Sequence, residues 1–75
     1  MASKATDVDR KFGELLQDIR GSVSRKELAK QLTVSTRQLE KYEKGVNRLS
    51  PSRMVEIKEA LNVKFIDLIP PEYLD

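Results

Sequence analysis

Residues 24–45, SRKELAKQLTVSTRQLEKYEKG, decide the fold. Apolar residues recur along this stretch at steps close to 3.6, the period of helices that bury one side. The pattern predicts a helix over residues 25–32, a tight turn, and a second helix over residues 36–44 whose other side is polar and basic. The apolar positions that we expect to be buried are Leu28, Ala29, Leu32, Val34, Leu39 and Tyr42.

Two serines mark where these helices begin. Ser24 stands three residues before Glu27, and Ser35 stands three residues before Gln38, so each pair matches a capping box. The two starts are eleven residues apart, which leaves about two turns for the first helix and then a sharp corner. This spacing favours a helix-turn-helix, in which the second helix can enter the major groove of DNA.

On these residues the segment resembles the lambda-repressor/Cro-like (XRE-type) helix-turn-helix DNA-binding family. In that pattern a small residue, here Ala29, lies inside the first helix and lets the second approach. An aromatic-Glu-basic-Gly run, here residues 42–45, ends the second helix. The resemblance covers residues 8–69. It implies an all-α fold, namely a compact five-helix lambda-repressor-like domain with a central helix-turn-helix.

Two residues depart from the family pattern. Thr33 stands in the turn where the family usually has Gly, because the backbone there tends toward positive φ. A β-branched residue in that conformation is strained by about 1–3 kcal/mol, so the turn either differs slightly or tolerates the strain. Arg25 stands where the family commonly has Gln, which changes an expected neutral contact into a charged one.

The composition of this 75-residue chain argues against an enzyme. The chain has neither Cys nor His, so it lacks thiolate ligands, the commonest metal ligand and the usual general base. It also lacks a Gly-rich phosphate loop. We expect no catalytic residues, no metal and no cofactor.

The distribution of charge is more informative than its total of +2. Residues 25–53 contain eight basic and three acidic residues, for a net charge of +5, while the remainder contains six basic and nine acidic residues, for −3. A basic segment in an otherwise acidic chain favours a polyanion on one side. A solvated surface of mixed charge is the alternative, but the basic segment coincides with the predicted helix-turn-helix.

The N-terminal part of the chain predicts a tail and one long helix. Residues 1–6 are polar and aperiodic, and we expect a disordered tail. Residues 7–70 form the expected domain, beginning with a helix at residue 6 or 7 that ends at Gly21. Gly13 inside this helix costs about 1 kcal/mol relative to Ala, which is consistent with a close helix contact.

The C-terminal part predicts two further helices. Ser50 is a good N-cap and Pro51 suits the first helical position, while Asn62 is expected to end this fourth helix in a left-handed conformation. Residues 63–69 are expected to form a short fifth helix that Pro70 terminates. Residues 71–75 are expected to be a C-terminal tail.

Four residues on the outer side of the second motif helix are the candidates for contacts with DNA bases. Arg37 leads, since its guanidinium can bridge guanine O6 and N7. The resemblance adds Thr36, for a thymine methyl, and Lys41, for guanine or a phosphate. Glu40 can accept from cytosine N4 or can orient Arg37 or Lys44, and the orienting role is favoured. An ordinary solvated helix residue is the alternative for Arg37.

Phosphate contacts are expected near the N-termini of both motif helices, where free N–H groups attract anions. For Ser24 and Ser35 a purely structural capping role is at least as open as a phosphate contact, and the two roles can coexist. The predicted phosphate contacts are Ser24, Arg25, Ser35, Gln38, Lys44, Asn47 and Arg48.

These features favour a sequence-specific regulator of transcription, most simply a repressor. The family usually binds a palindromic operator as a homodimer, so a dimer surface is needed. The candidates for that surface are Ile66, Ile69, Tyr73 and Leu74. The alternative is that these four residues cap the core of a monomer. A protein-interaction module, such as the DNA-binding antitoxin of a toxin–antitoxin pair, is the alternative function and implies a protein partner.

No signal peptide or apolar span is visible in the sequence, so we expect no membrane association and a cytoplasmic, nucleoid-associated protein.

Overall fold

The computed structural model describes residues 6–74, which contain helices and no strand. The four α-helices are α1 (Asp7–Arg20), α2 (Arg25–Leu32), α3 (Thr36–Glu43) and α4 (Pro51–Leu61). Two short 3-10 turns follow, at Phe65–Leu68 and Pro71–Tyr73. Within residues 6–74, no helix has both the length and the apolar character needed to cross a membrane.

The prediction of a fifth helix over residues 63–69 is wrong. Asn62 ends α4 with φ 56° and Lys64 is extended, so too few residues remain before Pro70 for a stable α-helix. A single 3-10 turn forms there instead, because the Asp67 carboxylate accepts from the Lys64 N–H. The predicted C-terminal tail also contains regular structure, since Pro71–Tyr73 is the second such turn.

The helix starts agree with the sequence, although the predicted capping boxes are half formed. The hydroxyls of Ser24 and Ser35 each accept from the backbone N–H three residues on, at 3.1 and 3.0 Å. The reciprocal bonds are absent at both starts, and the Glu27 carboxylate accepts from within α2 instead. A complete box forms between Thr6 and Asp9 at the start of α1. Thr6 is therefore a helix cap and not part of a tail; residues 1–5 of the predicted tail lie outside the described residues.

The core lies where the helix-turn-helix meets α1 and α4. Both α1 and α2 pack against α3, and α2 packs against α4. Burial of the predicted apolar side of α2 and α3 is confirmed, with Leu28 and Leu39 fully buried. Val34 and Tyr42, also on the predicted list, are only half-buried and pack against the core. The buried apolar side chains are Leu16, Leu28, Ala29, Leu32, Leu39, Met54, Ile57 and Leu68.

Gly13 marks the closest approach of α1 to α3, as its place inside a helix suggested. A Cβ at Gly13 would lie 2.5 Å from the carbonyl oxygen of Tyr42 and closer still to that of Glu43. Gly45, with φ 75°, makes a second such contact, since its Cβ would lie 2.7 Å from the backbone of Arg10. The α1 backbone therefore rests directly on the last turn of α3 and on the loop that follows it.

Thr33 adopts the left-handed conformation that the family pattern assigns to Gly. Its φ and ψ are 58° and 41°, and its N–H bonds the carbonyls of Ala29 and Lys30 to close α2. The turn is thus of the expected kind, and the chain tolerates the strain of a β-branched residue in it.

Replacing Gly13 with Ala should destabilise the protein by about 2 kcal/mol. The new methyl gains up to about 1 kcal/mol in helix propensity but must push α1 away from two carbonyls of α3. Urea unfolding followed by circular dichroism measures the change. Gln17→Ala, at an exposed position of the same helix, is the control, and equal stability of the two variants would contradict the close contact.

Replacing Thr33 with Gly should stabilise the protein by about 1 kcal/mol. The substitution removes the left-handed strain of a β-branched residue, and part of that gain offsets the extra chain entropy of Gly. Thermal unfolding of the variant beside the parent protein measures the effect. A lower melting temperature for the variant would show that Thr33 is not strained.

Candidate nucleic-acid interface

Helix α3 has one buried and one exposed side. Leu39 and the half-buried Tyr42 attach it to the core, while Thr36 and Arg37 are exposed on its first turn. Lys41, one turn further along, is partly exposed. The structure therefore brings the predicted base-contacting side chains to one accessible side of the helix.

Arg37 has a guanidinium that no other described residue engages. It has no hydrogen bond or ion pair with any of residues 6–74, although its charge acts on the nearby carboxylate of Glu40. All five of its N–H donors remain available to a ligand. An exposed, unpaired guanidinium at the start of a helix suits a planar acceptor pair.

Glu40 forms its ion pair with Lys44, whereas Arg37 acts on it only through its charge. The Lys44 Nζ lies 3.1 Å from Oε2 of Glu40, one turn away on α3. This hydrogen bond, with the charge of Lys44, holds the pKa of Glu40 below its usual value. Both side chains are substantially exposed, so the pair contributes little to stability. Lys44 is one of the two residues that the favoured interpretation of Glu40 named, and the orienting role itself stays a prediction.

The polar residues predicted to contact phosphates lie near the two helix starts and in the loop after α3. Ser24 and Ser35 act as caps, yet each hydroxyl keeps its own O–H for a second partner. The side chains of Gln38 and Asn47 are partly exposed and form no hydrogen bond within residues 6–74.

Arg48 is held by an acid on α1. Its Nε and Nη2 lie 3.2 and 3.4 Å from the two carboxylate oxygens of Asp9. Burial alone raises the pKa of Asp9, but hydrogen bonds from Thr6 and Arg48 outweigh it, and the pKa lies below its ordinary value. The guanidinium of Arg48 is largely exposed while Asp9 is mostly covered. Asp9 thus fixes an exposed cation beside the C-terminal end of α3.

Arg25 is engaged by a buried carboxylate that the sequence interpretation missed. Its Nε donates to Oε1 of Glu43 at 2.7 Å, and this bond raises the pKa of Arg25 further above its already high value. Arg20, at the end of α1, donates to the same carboxylate from Nε at 2.6 Å. A signal was present in the sequence, since Glu43 follows Leu39 by four residues on the buried side of α3. A charge in such a position requires a partner.

The four residues predicted as a dimer surface divide into two kinds. Ile66 and Leu74 are exposed, by 54% and 43%. Ile69 instead packs against the core, because the turn before it directs the chain inward. Tyr73 is exposed by 42%, although its ring stacks on that of Phe12, with ring centroids 6.2 Å apart.

Comparison with known proteins identifies the family of this chain. A profile described as helix-turn-helix (HTH_3) matches residues 16–68. This match covers more than half of the chain, so the protein belongs to the helix-turn-helix family. The resemblance to the XRE type is confirmed.

The chain is similar to several bacterial regulators of greater length. It is 40% identical over 57 residues to an HTH-type transcriptional regulator of Rickettsia prowazekii, covering 73% of this chain and 44% of that protein. It is 38% identical over 58 residues to a transcriptional regulator in the ATPase CF(0) region of Rhodospirillum rubrum, covering 75% and 54%. The chain thus spans about half the length of the curated relatives that it matches.

Solved structures share the fold. The restriction-modification controller protein C.AhdI of Aeromonas hydrophila gives a TM-score of 0.75 at 22% identity, covering 80% of this chain and 94% of that one. The clp gene regulator ClgR of C. glutamicum gives 0.80 at 25% identity, covering 84% of both chains. Hydroxypropylphosphonic acid epoxidase of S. wedmorenis gives 0.76 at 26% identity, covering 92% of this chain and 37% of that enzyme.

The Asp9–Arg48 pair should make stability depend on pH below about pH 4. A carboxylate with a lowered pKa stabilises the fold above its unfolded value, about 3.8, and this contribution is lost as pH falls through the folded pKa. The difference in unfolding free energy between the parent protein and Asp9→Asn should therefore shrink between pH 5 and about pH 2. Urea unfolding across that range measures it. Asp18→Asn, on an exposed part of α1, is the control, and a pH-independent difference for Asp9→Asn would contradict the assignment.

Proposed function

We propose that this protein is a sequence-specific double-stranded DNA-binding regulator of transcription that places α3 in the major groove. The observation that carries the proposal is the two-sided packing of α3. Leu39 and Tyr42 fix one side to the core, while Arg37 is exposed and unpaired on the other. Membership of the helix-turn-helix family and similarity to named transcriptional regulators support it.

Recognition would divide between the two parts of α3. Arg37 and Thr36, on the first turn, reach the base edges, where a guanidinium discriminates guanine by about 1–3 kcal/mol. Lys41 reaches either a base or a phosphate from the second turn. Glu40 holds Lys44 beside them, so that one basic residue is positioned before DNA arrives.

Backbone contacts would surround this helix on both sides. The pair with Asp9 competes with phosphate for Arg48, so Arg48 exchanges part of its bond to Asp9 for a DNA phosphate. A DNA phosphate attracts Arg48 more strongly than the single carboxylate of Asp9 does, because the neighbouring phosphates of the duplex add to the negative potential. Arg48 then contributes to affinity for every sequence alike.

A homodimer on a palindromic operator completes the proposal. One domain of this size buries limited surface on DNA, and two would double it. The exposed Ile66 and Leu74, with the edge of Tyr73, form the proposed contact between subunits. Ile69 is left out of it, since it packs on the core. Bound across a promoter, such a dimer would exclude polymerase and act as a repressor, associated with the nucleoid in the cytoplasm.

The second candidate function is a protein-interaction module, such as the DNA-binding antitoxin of a toxin–antitoxin pair. The same exposed apolar residues at the C-terminal end favour it, since a different protein could cover them. Sedimentation of the purified protein separates the candidates. A dimer with operator preference supports the regulator, and a strict monomer at high concentration contradicts the homodimer. An enzymatic role is not proposed, because the epoxidase that shares the fold matches over only 37% of its chain.

Selection of bound sites from random DNA, followed by footprinting, tests the function directly. A palindromic consensus protected over two adjacent major grooves is the expected result. If about six phosphates are neutralised per dimer, the logarithm of the binding constant should fall against the logarithm of salt with a slope of about −5. Equal, weak binding to every duplex would contradict the proposal.

Arg37→Ala and Arg48→Ala should weaken binding in different ways. Loss of Arg37 should remove about 1–3 kcal/mol of discrimination at one base-pair position, because the bidentate donor is gone. Loss of Arg48 should weaken all sequences alike and reduce the salt slope by about 0.9 for each contact. Fluorescence anisotropy on the selected duplex and its single-base variants measures both. An Arg37→Ala protein with full sequence preference would contradict the base contact.

A further inference from the structure

Glu43 is a buried charge with more than one partner. Of the charged residues within 6–74, Glu43 is the one that is buried, and its side chain has no exposed surface. Oε2 accepts from Nε of Arg20 at 2.6 Å, while Oε1 accepts from Nε of Arg25 at 2.7 Å and from Nη2 of Arg20 at 3.3 Å. One carboxylate thus faces two guanidinium groups, and the cluster keeps a net charge of +1.

The two arginines use their donors differently. Arg20 also donates from Nη1 to the carbonyl of Val23 at 2.9 Å, so all three of its nitrogens are occupied, and it is mostly covered. Arg25 donates only from Nε to a described residue, and 35% of its side chain is exposed. Its terminal nitrogens carry four N–H groups without a partner within residues 6–74.

The positions of these residues connect the cluster to the proposed DNA surface. Glu43 is the last residue of α3, Arg25 is the first residue of α2, and Arg20 is the last residue of α1. The start of α2 is where the sequence predicts a phosphate contact. Arg25 stands at that start, and it carries the positive charge of the cluster to the surface.

We propose that Glu43 is a positioning residue for DNA binding: it grips Arg25 by Nε and directs both terminal nitrogens toward a backbone phosphate at the start of α2. The inference rests on the proposed function and deepens it. A guanidinium can serve two acceptors at once, because its donors lie along two edges of a plane. Glu43 takes one edge and the phosphate takes the other. Arg20 balances the charge of Glu43 and remains inside the protein.

The effect of Glu43→Gln separates this role from simple electrostatics. Removing a negative charge from a DNA-binding surface strengthens binding when only the overall field matters. The positioning role predicts the opposite sign, a loss of about tenfold in affinity at moderate salt. The loss should be equal for the selected operator and for unrelated duplex, because a phosphate contact carries no sequence information. Anisotropy titrations on both duplexes at several salt concentrations measure it.

Controls make the result specific to the cluster. Glu27→Gln makes the same charge change in the first turn of α2, at a carboxylate that accepts from Gln31 and not from Arg25, and it should leave affinity unchanged or slightly higher. Arg25→Ala should lose affinity to the same degree as Glu43→Gln, with a lower salt slope. Adding Glu43→Gln to Arg25→Ala should then cause no further loss, since the two residues act through one contact.

Arg25→Lys keeps the test valid if Glu43→Gln fails to fold. Lysine retains the charge but has a single ammonium, which cannot hold Glu43 along one edge and a phosphate along the other. We expect folded protein, by circular dichroism, and a loss of about fivefold in affinity for all duplexes. Binding equal to the parent protein would overturn the proposal. So would a folded Glu43→Gln that binds more tightly, or one that loses operator preference as well as affinity, which would indicate a misplaced α3.

Failure of this inference is distinguishable from failure of the proposed function. If the parent protein shows no sequence preference, the function itself is wrong. If the parent protein binds its operator, and Arg37→Ala loses one base preference while the Glu43 and Arg25 variants bind normally, only the positioning role is wrong.

Discussion

The arrangement of the first three helices depends on the pairing of the buried Glu43 carboxylate with Arg20 and Arg25. The carboxylate is buried at the end of α3 and accepts from the last residue of α1 and the first residue of α2. A buried carboxylate left without partners costs several kcal/mol, so these three helix ends must stay together while the protein is folded. Hydrophobic burial of Leu28 and Leu39 stabilises the same junction without direction, and the charges fix its geometry.

Close backbone contact between α1 and the end of α3 reinforces this junction. Gly13 lets α1 rest on carbonyl groups at the end of α3, and Gly45 lets the following loop meet the start of α1. Asp9 and Arg48 bridge the same two segments at the surface. The orientation of α3 is therefore set by groups that lie behind it or at its C-terminal end. The exposed side of its first turn contributes nothing to that orientation.

Much of this arrangement could be predicted from the sequence, for physical reasons that differ between elements. The helix starts at Ser24, Ser35 and Ser50 follow from local capping chemistry, which operates over three residues and is visible in any window. The apolar periodicity of α2 and α3 is also a local signal, and it predicts which side of each helix is buried. The segment after α4 was mispredicted as α-helix, because apolar content does not reveal that two local breaks leave room for only a 3-10 turn. The partners of Glu43 join distant positions in the sequence, and no local pattern encodes such pairing. The base and phosphate contacts stay predictions, since their partners belong to another molecule.

The unpaired side of α3 has a consequence for how such a protein can change. Thr36 and Arg37 make no contact that the fold requires, whereas on the same helix Leu39 is fully buried in the core and Glu43 joins three helix ends. Selection could therefore replace the outward residues one at a time at almost no cost in stability. This separation allows one fold to serve many DNA targets. After gene duplication, a few surface substitutions on α3 could give a paralogue with a new target.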